Sequence, residues 1–285
     1  MTESAASPPV QGNAEQIKAC CAAAYGSDVV ALLLGDSYHP GGMRLTRRLV
    51  DRLGLVAGGR VLDVASGRGA SALMLAREYA VTVDGTDLSD ANVTLAGGAA
   101  QSAGLADRVT FSTGDAERLT TKDDTYDAVL CECAFCTFPD KSRAVAEFVR
   151  VLRPGGRLGL TDVTAQTDRL PPELTSLAAW IACVADARPV EGYRDLVTAG
   201  GLRVVHVERH DAALLAMLDQ IEARLTLVRM TARARAQALG LDFDRAGPVL
   251  EAARRAVAEG LLGYALLVAE KPTSPGPSVA ARDSR

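Results

Sequence analysis

One stretch near the start of the chain limits the fold more than any other. Residues 60–71 read RVLDVASGRGAS, in which Val61, Leu62 and Val64 form a short apolar run and small residues follow it. Residues 71–78 (SALMLARE) are strong helix formers. This order predicts a buried strand, a tight glycine loop and a helix. Such a loop would present backbone N–H groups to a ligand, but a glycine loop alone is a weak signal.

Further apolar runs predict more strands, with helices between them. They cover residues 81–87, 109–114, 126–130, 153–163, 202–208 and 264–269. The second predicted strand ends in Asp87, an acid beside the glycine loop that is placed to accept hydrogen bonds from ribose hydroxyls. The third is followed by Asp115, for which a turn or cap role is the simpler interpretation. Alternating strands and helices predict an α/β fold.

Composition excludes several kinds of partner. The net charge of −4 and an aromatic content of 4% argue against nucleic acid. We see neither a basic, apolar leader nor a run long enough to span a membrane, so the sequence predicts a cytoplasmic protein with no membrane partner. The six cysteines are then expected to be thiols.

The 285 residues divide into three predicted parts. Residues 1–44 are predicted as a disordered tail and an N-terminal helical lid. Residues 45–272 form the main domain, with a helical insertion at about 211–260 that covers the active site or mediates dimerisation, and 273–285 form a flexible tail. In the lid, His39 could act as a base, although fixing the turn before Pro40 is the favoured interpretation. The oligomeric state is left open.

The segments LDVASGRG, GTDLS, GDAERL, DAVLCE and LRPGGRL resemble the class I S-adenosylmethionine-dependent methyltransferases. The resemblance covers roughly residues 45–205 and implies a Rossmann-like seven-stranded sheet with S-adenosyl-L-methionine as cofactor. The run LRPGGRL argues against the rival, a nicotinamide dinucleotide fold. Ala65 replaces the first glycine of the family's loop. The cofactor-binding residues implied by the resemblance are Asp63, Ala65, Gly67, Gly69, Asp87, Leu88, Asp115, Ala116 and Glu132.

The cysteines bear on the substrate. Cys20 and Cys21 precede the sheet, Cys183 stands apart, and three follow the fourth predicted strand, at positions 131, 133 and 136. That strand end lies beside the cofactor's reactive methyl group in this fold, so the cluster of three is predicted to line the site. A single free cysteine more often behaves as a small buried apolar residue.

A narrower resemblance points to the arsenite methyltransferases. It lies in KACC (18–21), ECAFCTFPDK (132–141) and WIACVADARPVEGYRDLVTAGG (180–201). It implies that Cys21, Cys133 and Cys183 bind trivalent arsenic as substrate and serve catalysis, with Cys20 as a disulfide partner or resolving thiol. Soft As(III) suits thiolate ligands, its lone pair attacks the methyl group without a base, and a thiol reductant acts between rounds. The sequence departs from that family in Glu132, in Cys131 and Cys136, and in the insertion.

Two other functions stay open. One is methylation of a small organic molecule at oxygen, nitrogen or carbon, in which the cysteines only line the pocket and His39, Asp162 or Glu132 supplies a base. The other is a thiol-based metalloid or zinc sensor that uses CECAFC as its ligand. Structural zinc normally takes four ligands in paired spacing, which that run does not provide.

Overall fold

The computed structural model describes residues 14–25, 39–174, 184, 186–238 and 242–273. Several predictions fall outside this part of the chain: the tail at 1–13, most of the predicted helix at 174–185 with Cys183, and the tail after residue 273. The side chain of Cys20 also lies outside it.

Strands and helices alternate along the chain. The strands are β1 Arg60–Val64, β2 Thr82–Asp87, β3 Val109–Thr113, β4 Tyr126–Glu132, β5 Leu152–Ala165, β6 Arg203–Arg209 and β7 Leu262–Glu270. The helices are α1 Ala14–Tyr25, α2 Gly42–Leu53, α3 Ala70–Glu78, α4 Asp90–Ser102, α5 Lys141–Val151, α6 Val190–Ala199, α7 Asp211–Thr231, α8 Arg233–Ala238 and α9 Phe243–Ala258. Short 3₁₀ turns lie at Phe135–Thr137, Thr167–Arg169 and Pro172–Leu174.

The strands form one seven-stranded sheet in the order β3-β2-β1-β4-β5-β7-β6. The pairs from β3 to β5 are parallel, whereas β7 runs antiparallel between β5 and β6. The strand order switches sides at β1, because β2 lies on one side of β1 and β4 on the other. In an open parallel sheet, ligands bind in the crevice beyond the carboxyl ends of the strands at that switch point. The predicted α/β sheet is therefore confirmed, and the fold places the site after β1, β2 and β4.

Apolar side chains cover both faces of the sheet. Leu49, Leu75 and Leu250, from α2, α3 and α9, belong to one core cluster, while Phe148 of α5 and Val197 of α6 belong to the other. Burial on both faces explains why the central strands read as nearly continuous apolar runs.

The helices between β6 and β7 pack on the same face of the sheet as α2 and α3. Leu214 of α7 and Leu250 of α9 are buried in the same cluster as Leu49 of α2. No described residue of α7 to α9 lines the cavity that lies beyond the strand ends. In the described part of the chain, these helices cover the sheet and leave the cavity wall to other elements.

Candidate active site

A cavity of about 340 Å³ lies at the carboxyl ends of β1, β2 and β4. One wall comes from α1 and the segment before α2, through Cys21, Tyr25 and His39. Such a volume lies in the range of small-molecule sites. Of the predicted cofactor residues, those that line the cavity are Asp63, Ala65, Gly67, Asp87, Leu88, Asp115, Ala116 and Glu132.

The loop after β1 has an unusual backbone. Ala65, Gly67 and Gly69 have φ of 56°, 53° and 82°. A left-handed backbone strains an alanine more than a glycine, so the position of Ala65 is one that a glycine would occupy with less strain. Gly69 caps the N-terminus of α3 and is not on the cavity wall, and a Cβ there would lie 2.6 Å from the ring of Phe111. Its role in the structure is close packing of the helix.

Asp87 is fixed at the tip of β2 by three donors. The backbone N–H of Gly67 donates to Oδ2 at 2.8 Å, and the N–H of Ser89 and the side-chain amide of Asn92 donate to Oδ1 at 2.9 and 3.3 Å. A carboxylate oxygen has two lone pairs, so Oδ2 keeps one for a ligand hydroxyl. The carboxylate therefore orders the glycine loop and still offers an acceptor to the cavity.

Asp63 is the most deeply buried acid of the site. It accepts a hydrogen bond from the backbone N–H of Ala72, but its Oδ2 has no hydrogen-bond partner among the described residues. Burial, together with repulsion from Glu132 and Asp87, holds the pKa of Asp63 well above its ordinary value. Asp63, Asp87 and Glu132 are thus three of the carboxylates that face one cavity, and a cationic group bound beside them would relieve both the repulsion and the missing contact.

Glu132 ends β4 and is held by hydroxyl groups. Ser71 donates to its Oε2 at 2.8 Å, and Thr46 Oγ1 lies 3.1 and 3.2 Å from its two oxygens. Nε2 of His39 lies 3.3 Å from Thr46 Oγ1 and 4.0 Å from Glu132 Oε1. The side chains of His39 and Glu132 are only 8% and 6% exposed. Sequence reasoning missed Thr46 and Ser71, because each looks like an ordinary polar residue on a helix.

Lys18 joins α1 to the turn after β3. It pairs with Asp115 at 2.8 Å and with Glu117, and its side chain is 10% exposed. Burial lowers the pKa of Lys18, but the two carboxylates outweigh burial and raise it above the ordinary value. Asp115 also accepts a hydrogen bond from the backbone N–H of Glu117, so the predicted turn role of Asp115 is present in the structure. Sequence reasoning missed Lys18, which is separated from its partners by about a hundred residues.

The cysteines divide into two groups. Cys21 and Cys133 line the cavity, and Cys133 has a φ of 52°. Cys131 and Cys136 are fully buried in different core clusters, so the prediction that they line the site was wrong. Burial, aided by nearby acids, raises the pKa of the Cys131 thiol well above its ordinary value.

The positive φ of Cys133 explains this division. Side chains alternate across β4, so that Leu130 lies on one face and Cys131 on the other. The left-handed turn at Cys133 interrupts the alternation and packs its thiol against the cluster of Leu130 instead.

Other predicted groups take structural roles. Asp162 is buried and accepts hydrogen bonds from the backbone N–H groups of Cys136 and Val163, at 2.8 and 2.7 Å, and it does not line the cavity. Across the described ranges, no three His, Cys, Asp or Glu side chains are arranged to hold a metal ion. None of the described helices has the length and apolar character to cross a bilayer.

Comparisons with known proteins agree with the fold. Residues 61–156 match the methyltransferase domain family. The chain is 34% identical over 175 residues to methyltransferase GfsG of Streptomyces halstedii, covering 60% of this chain and 63% of that protein. It is 35% identical over 148 residues to 27-O-demethylrifamycin SV methyltransferase of Amycolatopsis mediterranei, covering 48% of this chain and 54% of that one. The matches thus span less than two thirds of each relative's length.

Two solved structures share the architecture. The [4+2]-cyclase SpnF superposes with a TM-score of 0.76 at 24% identity, covering 94% of this chain and 100% of that one. A geranyl diphosphate C-methyltransferase from Streptomyces coelicolor A3(2), solved with Mg²⁺, geranyl diphosphate and S-adenosyl-L-homocysteine, gives a TM-score of 0.69 at 17% identity, covering 93% and 100%. At such identities the likeness concerns the fold alone. Together, these findings show that residues 61–156 match a methyltransferase domain, and that the seven-stranded sheet has the Rossmann-like α/β fold of these solved structures.

Proposed function

We propose that this protein transfers a methyl group from S-adenosyl-L-methionine to a small organic acceptor. The observation that carries the proposal is the cavity at the switch point of the sheet, which Asp63, Asp87 and Glu132 line with carboxylates. When bound, the cofactor supplies an electrophilic methyl group on a positively charged sulfur.

The residues of the cavity fit such a cofactor. The unpartnered Oδ2 of Asp63 would accept a hydrogen bond from an ammonium group, and the free lone pair of Asp87 Oδ2 would accept one from a ribose hydroxyl. Ala65 and Gly67 leave the loop backbone open, because neither carries a long side chain. A Cβ at Gly67 would meet nothing within 4 Å, so space remains in front of the loop. Asp115 and Ala116 would flank the adenine, as the resemblance implies, and Leu88 lines the same cavity.

The acceptor side favours an organic molecule. The name of the Amycolatopsis relative describes methylation of an oxygen on a small molecule, and the Streptomyces neighbour was solved with a small-molecule diphosphate. A cytoplasmic location stays a prediction from the sequence.

A trivalent arsenical is the second candidate acceptor. What favours it is that Cys21 and Cys133, far apart in sequence, line the same cavity. Two thiolates there would bind soft As(III), and a thiol reductant would act between rounds. The third predicted ligand, Cys183, lies outside the described residues, so this candidate rests on two of its three thiols.

Cofactor binding is the first test. Titration calorimetry with S-adenosyl-L-methionine should show a 1:1 complex for the wild-type protein. Asp87→Asn should bind more weakly, because it loses a charged acceptor beside the loop, whereas Asp127→Asn, on the opposite end of β4, should bind as the wild type does. Absence of binding to the wild-type protein would refute the proposal.

Methyl transfer then separates the two acceptors. Label from methyl-labelled cofactor is followed into phenols and alcohols, and separately into arsenite with a thiol reductant. Arsenite-dependent transfer that Cys133→Ser and Cys21→Ser abolish, and that the buried-cysteine control Cys136→Ala retains, would establish the arsenical. Transfer to an organic acceptor that survives Cys133→Ser would establish the first proposal.

A further inference from the structure

We propose that Glu132 anchors a positively charged amine of the acceptor, so that the acceptor is a compound whose ammonium group lies apart from the atom that is methylated. The inference rests on the function proposed above and adds the charge of the acceptor. The amine keeps its protons and serves recognition alone. The starting point is a single buried carboxylate on the cavity wall, that of Glu132.

Glu132 is surrounded by neutral donors. Its side chain is 6% exposed, and it accepts hydrogen bonds from the hydroxyls of Ser71 at 2.8 Å and Thr46 at 3.1 Å. Nε2 of His39 is 4.0 Å from Oε1 and lies nearer to Thr46 Oγ1, at 3.3 Å. In the described part of the chain, no lysine or arginine pairs with this carboxylate. Burying an ion without an ion partner is costly, and a bound cation would offset that cost.

The carboxylate of Glu132 has lone pairs left for a ligand. Its two oxygens offer about four lone pairs, and the hydroxyls of Ser71 and Thr46 each give one proton. About two lone pairs therefore remain on a residue that lines the cavity. An ammonium group carries three N–H donors and a positive charge, so its hydrogen bonds to a carboxylate are stronger than those of a neutral hydroxyl.

The other charges of the described cavity wall disfavour an anionic acceptor. The acids on this wall outnumber the lysines and arginines: Asp63, Asp87, Asp115, Glu117 and Glu132 against Lys18 and Arg68. Lys18 already pairs with Asp115 and Glu117. Burial, followed by repulsion from Glu132 and Asp87, holds the pKa of Asp63 well above its ordinary value. A carboxylate or phosphate beside Glu132 would add to this repulsion, whereas an ammonium group would relieve it.

The sheet order separates Glu132 from the acid assigned to the cofactor's ribose. The strands at this edge follow the order β3, β2, β1, β4. Asp87 ends β2 and Glu132 ends β4, so the two acids lie two strands apart, about 10 Å at ordinary strand spacing. Asp63 of β1 lies between them and is assigned above to the cofactor's ammonium group. The carboxylate on β4 is therefore the one left for the acceptor.

The first test measures binding without methyl transfer. Protein saturated with S-adenosyl-L-homocysteine is titrated by calorimetry with three para-substituted phenols of similar size: cationic tyramine, neutral para-ethylphenol and anionic para-hydroxyphenylpropionate. Tyramine should bind most tightly. Glu132→Gln should weaken its binding about 10- to 100-fold, as expected for the loss of a charge-assisted hydrogen bond.

The control for this titration is Asp127→Asn, which removes a carboxylate at the opposite end of β4 and should keep the preference for tyramine. Glutamine at position 132 still offers an acceptor to Ser71 and Thr46, and binding of S-adenosyl-L-homocysteine reports that the variant is folded. Tyramine that binds no more tightly than para-ethylphenol, or that does not bind at all, would overturn the inference. Compensation of Glu132 by a protonated His39 would give this result.

The second test compares methyl transfer to the hydroxyl groups of tyramine and para-ethylphenol. The ratio of their kcat/KM values should fall about 10-fold or more in Glu132→Gln, mainly through a higher KM for tyramine. Glu132→Asp keeps the charge and should restore part of the ratio. An equal loss of kcat for both phenols would assign Glu132 to proton transfer and overturn the anchoring role.

Cofactor binding distinguishes this inference from the proposed function. The ratio of affinities for S-adenosyl-L-methionine and S-adenosyl-L-homocysteine should change by less than about twofold in Glu132→Gln. A larger fall in that ratio would mean that Glu132 pairs with the sulfonium, and would overturn the inference. Methyl transfer that prefers the neutral or the anionic phenol would also overturn it and leave the proposed function standing. If the wild-type protein does not bind the cofactor, the proposed function itself fails.

Discussion

Replacing Asp63 with asparagine should stabilise the free protein and weaken cofactor binding at the same time. The acid is buried, and its Oδ2 has no partner among the described residues. Asparagine has nearly the same shape and can keep the hydrogen bond from the N–H of Ala72. Removing an uncompensated buried charge should raise the free energy of unfolding at neutral pH by about 1–3 kcal/mol.

The raised pKa of Asp63 determines how the stability difference between the two proteins changes with pH. The pKa of Asp63 is raised in the folded state above the ordinary value of 3.8, so the wild-type protein has its full stability below that pH and loses it as pH rises through the folded-state pKa. The asparagine side chain does not titrate. The advantage of Asp63→Asn should therefore be small at pH 4 and grow toward neutral pH, as measured by calorimetric unfolding at several pH values.

Cofactor binding should change in the opposite direction. Loss of a charge-assisted hydrogen bond costs about 1.5–3 kcal/mol, which corresponds to a Kd for S-adenosyl-L-methionine that is about 10- to 100-fold higher by titration calorimetry. The matched control is Asp84→Asn on β2, whose carboxylate pairs with Arg60 and lies off the cavity wall. That variant should lose stability and keep its affinity. A less stable Asp63→Asn protein, or one with unchanged affinity, would refute the reasoning.

Three further substitutions test the packing and the charges of the fold. Glu208 is surrounded by two arginines of α2 and two histidines, and its hydrogen bond with Arg48 lowers its pKa to about 2. Glu208→Gln should cost about 2 kcal/mol at pH 7 in denaturant unfolding, and the difference should vanish as pH falls from 4.5 toward 2. A Cβ on Gly85 would overlap the ring of Phe111, so Gly85→Ala should cost about 1–3 kcal/mol. Gly98→Ala, in α4 with nothing within 4 Å of the new Cβ, should instead stabilise by up to about 1 kcal/mol, and equal effects in both variants would contradict this account.

The domain boundaries and the roles of individual site residues stay predictions, yet the fold could be predicted from the sequence in most of its parts. The predicted strand at the glycine loop, for example, is β1 at Arg60–Val64, and the predicted helix at 14–25 is α1 at Ala14–Tyr25. Such elements depend on local periodicity and on glycine, which are visible in a short window of sequence. Asp87 could be placed for the same reason, since an acid at the end of a parallel strand lies at the ligand edge of the sheet.

The sequence by itself determined the individual strands and helices, the glycine loop and the acids at the strand ends, because each depends on residues adjacent in the chain. Only the tertiary structure decided which of the clustered cysteines reaches the cavity, since a left-handed backbone at Cys133 breaks the alternation that buries Cys131. It also brought Lys18 to Asp115, and His39 and Thr46 to Glu132. These contacts join residues that are distant in sequence and depend on how α1 and α2 pack beside the sheet, which no local pattern encodes.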